Sequence, residues 1–184
     1  MSTVLRFPGE KTKRAERHEE LREKFFGDVE DKLWNRKKEK GFCTIPRTLG
    51  LIMTLLNLLS KNKDLSRVYF ELWCRAFDEA IVDVTDEEAL AYASGYVSPT
   101  RNIRTWRERI TMLEKWGFIA TKQAGSRKYR YILLLHPHQV IEKLHQDDKV
   151  AEDWYSAYLA RAAEIGTKLP HSEVEERHAA SRRP

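Results

Sequence analysis

Residues 85–136 read TDEEALAYASGYVSPTRNIRTWRERITMLEKWGFIATKQAGSRKYRYILLLH, and this stretch decides the fold. It predicts a short helix, a longer capped helix and a β-hairpin. Thr85 and Ser98 stand where helices start, Pro99 suits a first helical turn, and Gly95 and Gly117 stand where helices stop. The predicted bounds are Asp86–Ser94 and Pro99–Trp116 for the helices, Phe118–Ala124 and Lys128–His136 for the strands, and Ala124–Arg127 for the turn.

The longer helix is predicted to have one apolar and one polar side. Successive side chains are about 100° apart around a helix, so spacing sorts them into arcs. The apolar arc holds Ile103, Trp106, Ile110 and Leu113. The opposite arc holds Arg101, Arg104, Thr105, Glu108 and Lys115, with Arg107 and Arg109 on its flanks, where we expect them to reach phosphates. Arg104 and Glu108 are four residues apart and predict an ion pair.

Two more helices and an edge strand are predicted before this stretch. Their bounds are Ile45–Asn62, Arg67–Phe77 and Ala80–Val84, with Thr44 and Ser66 as helix caps and Pro46 in the first turn. The first helix is apolar on almost every side, which predicts a core helix or a subunit interface. In the second helix, a stripe of Phe70, Trp73 and Phe77 predicts the buried face. Cys74, next to that stripe, is expected to be a core thiol.

Both ends of the chain are predicted to carry additional helices. Residues 10–40 show apolar residues at helical spacing with a break at Gly27, and residues 36–40 form a basic cluster. Further helices are predicted from Pro137 or His138 to Gln146 and over Val150–Ile165. The stripe of the last helix holds Ala151, Trp154, Tyr158 and Ile165. The expected organisation is an N-terminal extension (1–43), a core domain (44–147), a C-terminal helix (148–166) and a disordered tail (167–184).

Charge is unevenly distributed along the chain. The 184 residues carry 33 Lys and Arg against 28 Asp and Glu, a net charge of +5. Residues 98–130 hold nine basic and two acidic side chains, net +7, whereas residues 48–97 are net −4. A basic region of this density predicts a polyanionic partner. Arginine adds a capacity for base readout, because its planar fork bonds guanine O6 and N7 together.

Several classes of protein do not fit this sequence. Cys43 and Cys74 are too few for a disulfide scaffold or a four-ligand zinc site. The longest apolar run, Leu49–Leu59, is too short to span a membrane, and the first residues contain no apolar signal core, so we expect a cytoplasmic protein. His136 and His138 have no further metal ligand nearby, and common nucleotide-binding and hydrolase motifs do not occur. We therefore expect no enzymatic activity, no cofactor and no metal.

The order of elements over Thr44–His136 resembles the winged helix-turn-helix family of DNA-binding domains. The resemblance rests on the helix TDEEALAYASG, the helix SPTRNIRTWRERITMLEKW, the junction Trp116–Ile119 and the hairpin with AGSR at its tip. It implies that the longer helix enters the major groove of double-stranded DNA and that the hairpin lies on the backbone or minor groove. With the charge pattern, it predicts DNA contacts from Ser98, Thr100, Arg101, Arg104, Thr105, Arg107, Lys122, Arg127, Lys128 and Arg130.

The expected fold is mainly helical with a small antiparallel β-wing, and the expected function is sequence-preferring DNA binding by a transcriptional regulator. One alternative is a plasmid protein that initiates replication or binds a partition site. A second alternative is a winged-helix module that binds an acidic protein surface. We also expect a homodimer, because Leu49–Leu59 and the stripe of Trp154, Tyr158 and Ile165 offer surplus apolar surface.

Overall fold

The computed structural model describes residues 13–98 and 100–170 of the chain. Within these ranges the protein is mainly helical with a three-stranded antiparallel sheet, which confirms the predicted fold class at this level. The helices are α1 (Lys13–Phe26), α2 (Leu49–Leu59), α3 (Leu65–Arg75), α4 (Glu87–Ala93), α5 (Asn102–Lys115), α6 (Pro137–Gln146) and α7 (Glu152–Ile165). The strands are β1 (Ile81–Asp83), β2 (Ile119–Ala124) and β3 (Arg127–Leu134). Pro99 and residues 171–184, which include most of the predicted disordered tail, lie outside the described residues.

The chain divides into two compact units between Phe42 and Cys43. In the first unit, α1 ends at Phe26 and Gly27 adopts a positive φ of 69°, so the predicted break at this glycine is confirmed. A single 3-10 turn follows at Glu30–Lys32. The basic cluster at residues 36–40 is exposed to solvent. The other elements, α2–α7 and β1–β3, belong to the second unit.

Both helices at the start of the second unit begin at residues other than those predicted. The carbonyl of Pro46 accepts a hydrogen bond from the Leu49 N–H (2.9 Å), so a turn precedes α2 and Thr48 rather than Thr44 is its N-cap residue. Helix α3 follows Asp64, which adopts a left-handed conformation with φ of 54°. Ser66 therefore lies inside α3 and is buried instead of capping it.

The predicted buried face of α3 is wrong for two of its three residues, because only Trp73 packs against the core. Phe70 is exposed and Phe77, beyond the end of the helix, is 83% exposed. The buried side consists of Leu65, Val68, Tyr69 and Leu72. These residues also recur at helical spacing, so α3 has two apolar stripes, and the one that holds Tyr69 packs on α2 and α5. The thiol of Cys74 points away from that side and is exposed, which contradicts its prediction as a core thiol.

The sheet has the order β1-β3-β2, so β1 is an edge strand as predicted. Ile81 pairs with Leu133 across β1 and β3, and Ile119 pairs with Leu134 across β2 and β3. The predicted turn is confirmed at residues 125 and 126, where Gly125 has φ of 59°. The register of β2 on β3 shifts between Lys122 and Ala124.

Helices α4 and α5 are both shorter than predicted. The carboxylate of Asp86 caps α4 by accepting hydrogen bonds from the backbone N–H groups of Glu88 (2.9 Å) and Ala89 (3.0 Å). At the other helix, the carbonyl of Ser98 accepts from the Asn102 N–H (3.1 Å), so the chain makes one turn before α5 starts. The side chain of Ser98 therefore does not cap the helix as predicted.

Helices α6 and α7 pack on one another through aromatic and histidine side chains. The ring of His145 stacks on Tyr155 with centroids 3.6 Å apart, and the hydroxyl of Tyr155 donates to Glu142 (2.9 Å). His138 and the hydroxyl of Tyr158 form a hydrogen bond in the interior. Trp154 and Tyr158 are buried in this packing, whereas Ala151 is exposed and Ile165 is half-buried.

The apolar surface that suggested a homodimer is therefore mostly used within the chain. Leu49, Ile52, Leu55 and Leu56 of α2 are buried in the same core as Trp154 and Tyr158. Among the large apolar side chains of α2, that of Leu58 is exposed.

Candidate nucleic-acid interface

Helix α5 places its apolar residues inside and Arg104 and Arg107 outside, as predicted. Trp106, Ile110 and Leu113 are fully buried, and Ile103 is half-buried. On the opposite side, the side chain of Arg104 is 83% exposed. Its Nε lies 3.2 Å from the Glu108 carboxylate, which confirms the predicted ion pair. A pair this exposed contributes little to stability, so Arg104 can exchange its partner at low cost.

A cleft of about 320 Å³ runs between α5 and β3. It is lined by Arg104, Arg107, Glu108, Thr111, Lys128 and Tyr129. Three of these six side chains are cationic and one is anionic. The cleft brings the basic side of α5 and the turn end of the hairpin together in one surface, although Lys128 lies 24 positions after Arg104 in the sequence. We call this surface the α5–hairpin face.

Tyr129 forms the floor where the two elements meet. Its hydroxyl lies 2.7 Å from the hydroxyl of Thr111 on α5, and its ring packs edge-on against Trp106 with centroids 6.2 Å apart. The ammonium group of Lys128 sits over the same ring, 4.9 Å from its centroid. The ring therefore holds both the helix and a cation of the hairpin in place.

Arg107 also borders the cleft, and it is held by an acidic residue of α4. Its guanidinium donates to the Glu87 carboxylate at 2.6 Å. The arginine side chain is 54% exposed while that of Glu87 is only 11% exposed. The pair thus positions Arg107 at the edge of the α5–hairpin face and lowers the positive charge there.

The hairpin arginines are more engaged than the sequence indicates. Arg127 donates to the carbonyl of Thr85 (2.7 Å) and remains exposed. Arg130 donates to the carbonyl of Val84 (3.0 Å) and pairs with Asp83 (2.9 Å), and its side chain is largely covered. Arg130 therefore stabilises the contact of β3 with β1, and Arg127 keeps part of its guanidinium free. Lys122 is exposed on β2.

The residues predicted at the start of α5 lie on the surface. Ser98, Thr100 and Arg101 are exposed, and Thr105 is half-buried one turn into the helix. These positions surround the N-terminal end of the helix, where backbone N–H groups and the helix dipole favour a phosphate.

Arg109 was expected on a flank of the helix with access to phosphates, and that expectation is wrong. Its Nε donates to the carbonyl of Lys63 at 2.5 Å, and its side chain is 14% exposed. It also lies 3.8 Å from Glu108. Arg109 therefore fastens α5 to the segment between α2 and α3.

Metal binding and membrane insertion are two further possibilities for the described part of the chain. No group of three or more His, Cys, Asp or Glu side chains there is arranged to hold a metal ion. The rings of His136 and His138 lie 5.4 Å apart, but His138 is buried and bonded to Tyr158. None of the described helices combines the length and the apolar character needed to cross a bilayer.

Sequence reasoning missed three residues of this surface: Thr111, Tyr129 and Glu87. Thr111 and Glu87 are polar residues on amphipathic helices, and nothing in the local pattern indicates their distant partners. A signal for Tyr129 is the pairing of an aromatic residue with a neighbouring lysine on a strand, which suits a cation over a ring. Comparisons with protein-family models, with curated proteins and with solved structures find no match to this chain.

Proposed function

We propose that this protein is a winged helix-turn-helix protein that binds double-stranded DNA with sequence preference and acts as a transcriptional regulator. In this proposal α4 and α5 form the helix-turn-helix and the β2–β3 hairpin forms the wing. The N-terminal half of α5 enters the major groove, and the hairpin lies on the phosphate backbone. The observation that carries the proposal is the α5–hairpin face, where Arg104, Arg107 and Lys128 line one cleft.

The charges of this face support a nucleic-acid partner. Arg104 and Lys128 on this face are exposed, and so are Arg101 just before α5 and Lys122 on the hairpin. An α-helix fits the major groove of B-form DNA, which is about 12 Å wide. A basic hairpin beside such a helix reaches the adjacent backbone, which adds affinity without reading sequence.

Sequence preference is proposed from Arg104 on α5, whose side chain is 83% exposed. Within residues 13–98 and 100–170, the Arg104 guanidinium is held by a surface ion pair with Glu108. Releasing that pair costs about 1 kcal/mol or less. Bidentate bonding to guanine then contributes about 1–3 kcal/mol of discrimination between bases.

Salt titration of binding to a mixed-sequence duplex tests the proposal. Neutralising about five phosphates gives a slope of about −4.5 for log K against log salt concentration. The matched double variant R104A/K128A lacks two of the cations. Its slope is expected to be less negative by about 1.8, because two fewer phosphates are neutralised. Binding that does not change with salt, or no binding to any duplex at low salt, contradicts the proposal.

Selection of bound duplexes from a random pool tests sequence preference. A recovered motif is the expected result, and its symmetry reports whether two copies bind together. A pool that remains random after selection contradicts base readout by α5. An acidic protein partner predicts the same random pool, together with weak binding to every duplex.

A further inference from the structure

A second cavity, of about 570 Å³, opens on a different part of the molecule. It lies where the C-terminal end of α5 and the two residues after it meet α6 and the residues that follow β3. Trp116, Leu135, Val140 and Leu144 contribute apolar lining. The volume falls in the usual range for small-molecule sites, about 300–1,000 Å³. Gly117 lines it with a positive φ of 80°, and a methyl group added there would meet Val140 at 3.9 Å.

Three of the six polar residues around this cavity are lysines, and the lining also includes His136 and Gln139. Lys115, Lys143 and Lys149 line it, and Asp147 is the single acidic residue of the lining. Among the described residues, none of the three ammonium groups has an ion-pair or hydrogen-bond partner. The lysines thus surround an apolar pocket and keep their charge available. This composition differs from that of the α5–hairpin face, whose six lining residues include two arginines and one lysine but no aliphatic side chain.

Apolar lining with a cationic rim is complementary to one class of small molecule. The half-buried indole of Trp116 provides a flat surface on which an aromatic ring can pack. The excess of lysine over aspartate favours a negative group at the opening and disfavours a positive one.

We propose that this cavity binds a small organic anion, in which a flat apolar ring packs between Trp116 and Val140 and a carboxylate lies among Lys115, Lys143 and Lys149. The proposal does not depend on the proposed function, because none of these residues lines the α5–hairpin face. The site nevertheless includes the last residue of α5, so an occupant contacts the same helix that we propose for DNA.

A charge series on one ring tests the proposal directly. The probes are 2-naphthoate, the neutral 2-naphthamide and the cationic 2-naphthylmethylammonium, each titrated into the full chain by calorimetry. We expect naphthoate to bind about tenfold more tightly than the amide, because two or three exposed ion pairs each add a modest increment. The cation is expected to bind most weakly. Equal affinity for the three probes, or no binding of naphthoate at about 1 mM, overturns the proposal.

Matched double variants locate the site. K143Q/K149Q removes two exposed charges from the cavity, and K122Q/K128Q removes two exposed charges from the hairpin. Naphthoate affinity is expected to fall about tenfold in the first and to stay unchanged in the second. Under the proposed function, affinity for duplex DNA is expected to fall in K122Q/K128Q and to stay unchanged in K143Q/K149Q. If naphthoate affinity is unchanged in both variants, or falls equally in both, the assignment of the cavity is overturned.

A spectroscopic measurement adds a readout of position. The indole N–H signal of Trp116, identified by its loss in W116F, is expected to shift on naphthoate addition while the signal of buried Trp106 stays in place. Filling the pocket with V140F is expected to abolish that shift without lowering the melting temperature by more than a few degrees, since Val140 is only half-buried. A shift of Trp106 but not of Trp116 contradicts the site.

Discussion

The hydroxyl of Thr111 on α5 lies 2.7 Å from the hydroxyl of Tyr129 on β3. The Thr111 hydroxyl also donates a hydrogen bond to the carbonyl of Arg107, 2.9 Å away in the same helix. The hairpin is therefore attached to the middle of α5 through a buried tyrosine, and the angle between helix and hairpin is fixed by a specific contact. That angle decides whether Arg104 and Lys128 reach the same partner.

Tyr129→Phe removes this contact while keeping the ring. We expect a loss of about 0.5–1.5 kcal/mol in the free energy of unfolding, the usual value for one hydrogen bond. Under the proposed function, affinity for duplex DNA falls as well, because the hairpin is less firmly oriented. Urea denaturation and fluorescence anisotropy measure the two effects. Tyr131→Phe, on the same strand but exposed, is the control and is expected to change neither.

Arg104 and Lys128 are predicted to contribute differently to DNA binding. Arg104→Ala is expected to cost about 1–3 kcal/mol on the selected site and to relax base preference. Arg101→Ala is expected to behave in the same way. Lys128→Ala and Arg127→Ala are expected to weaken binding to all sequences alike, because a wing contacts phosphates. Competition between selected and scrambled duplexes separates the two patterns; identical behaviour of all four variants rules out readout by α5.

Glu87 is predicted to restrain binding through its ion pair with Arg107. In Glu87→Gln the arginine loses its 2.6 Å charged partner and one negative charge leaves the edge of the α5–hairpin face. We expect duplex affinity to increase about twofold to fivefold, in line with the strength of one partly exposed ion pair. Glu88→Gln makes the same charge change next to it, and Glu88 has no side-chain partner among the described residues. A larger gain in Glu88→Gln than in Glu87→Gln excludes this role for the pair.

His138 is predicted to make stability depend on pH. Burial, and then the neighbouring His136, lower the pKa of His138 below its usual value of 6.5. Above that value the ring is neutral in both the folded and the unfolded chain. As the pH falls below 6.5, the His138 ring of the unfolded chain is protonated before that of the folded chain. The free energy of unfolding therefore decreases until the folded ring is protonated too. Melting temperatures measured from about pH 7.5 down to about pH 5.5 are expected to decline.

The matched variant for this effect is His138→Gln, which keeps a polar group near the Tyr158 hydroxyl and does not titrate. It is expected to melt at a lower temperature than the natural protein at neutral pH but to depend less on pH. The measured quantity is the slope of the melting temperature against pH, so a general loss of stability does not imitate the result. If the slope is the same in His138→Gln as in the natural protein, another titratable group causes the pH dependence of stability.

The parts of the fold that could be predicted are those with a strong local signal. The hairpin follows from a Gly-containing turn between two β-rich runs, and the inward side of α5 follows from apolar residues at helical spacing. The start of α6 at Pro137 follows from the restricted backbone of proline. In each case a few neighbouring residues contain the whole signal, so distant packing did not alter it.

The errors arise where two local patterns compete or where a partner is distant in the sequence. In α3, Phe70 and Trp73 compete with Leu65 and Val68, and tertiary packing decides between them. Simple alternation places Tyr129 and Tyr131 on one side of a strand, but the irregular register of β2 on β3 leaves the first buried and the second exposed. The hydrogen bond from Arg109 to the carbonyl of Lys63 joins residues 46 positions apart, and no local sequence pattern predicts it.

The two outer strands of the sheet are poor templates for association with other chains. Strand β1 is only three residues long and ends in Asp83, and β2 carries an exposed Lys122 at the point where its register shifts. Short, charged and irregular edges discourage the strand-to-strand pairing that leads to fibrils and precipitation. The edges of this sheet therefore disfavour the addition of strands from other copies of the protein.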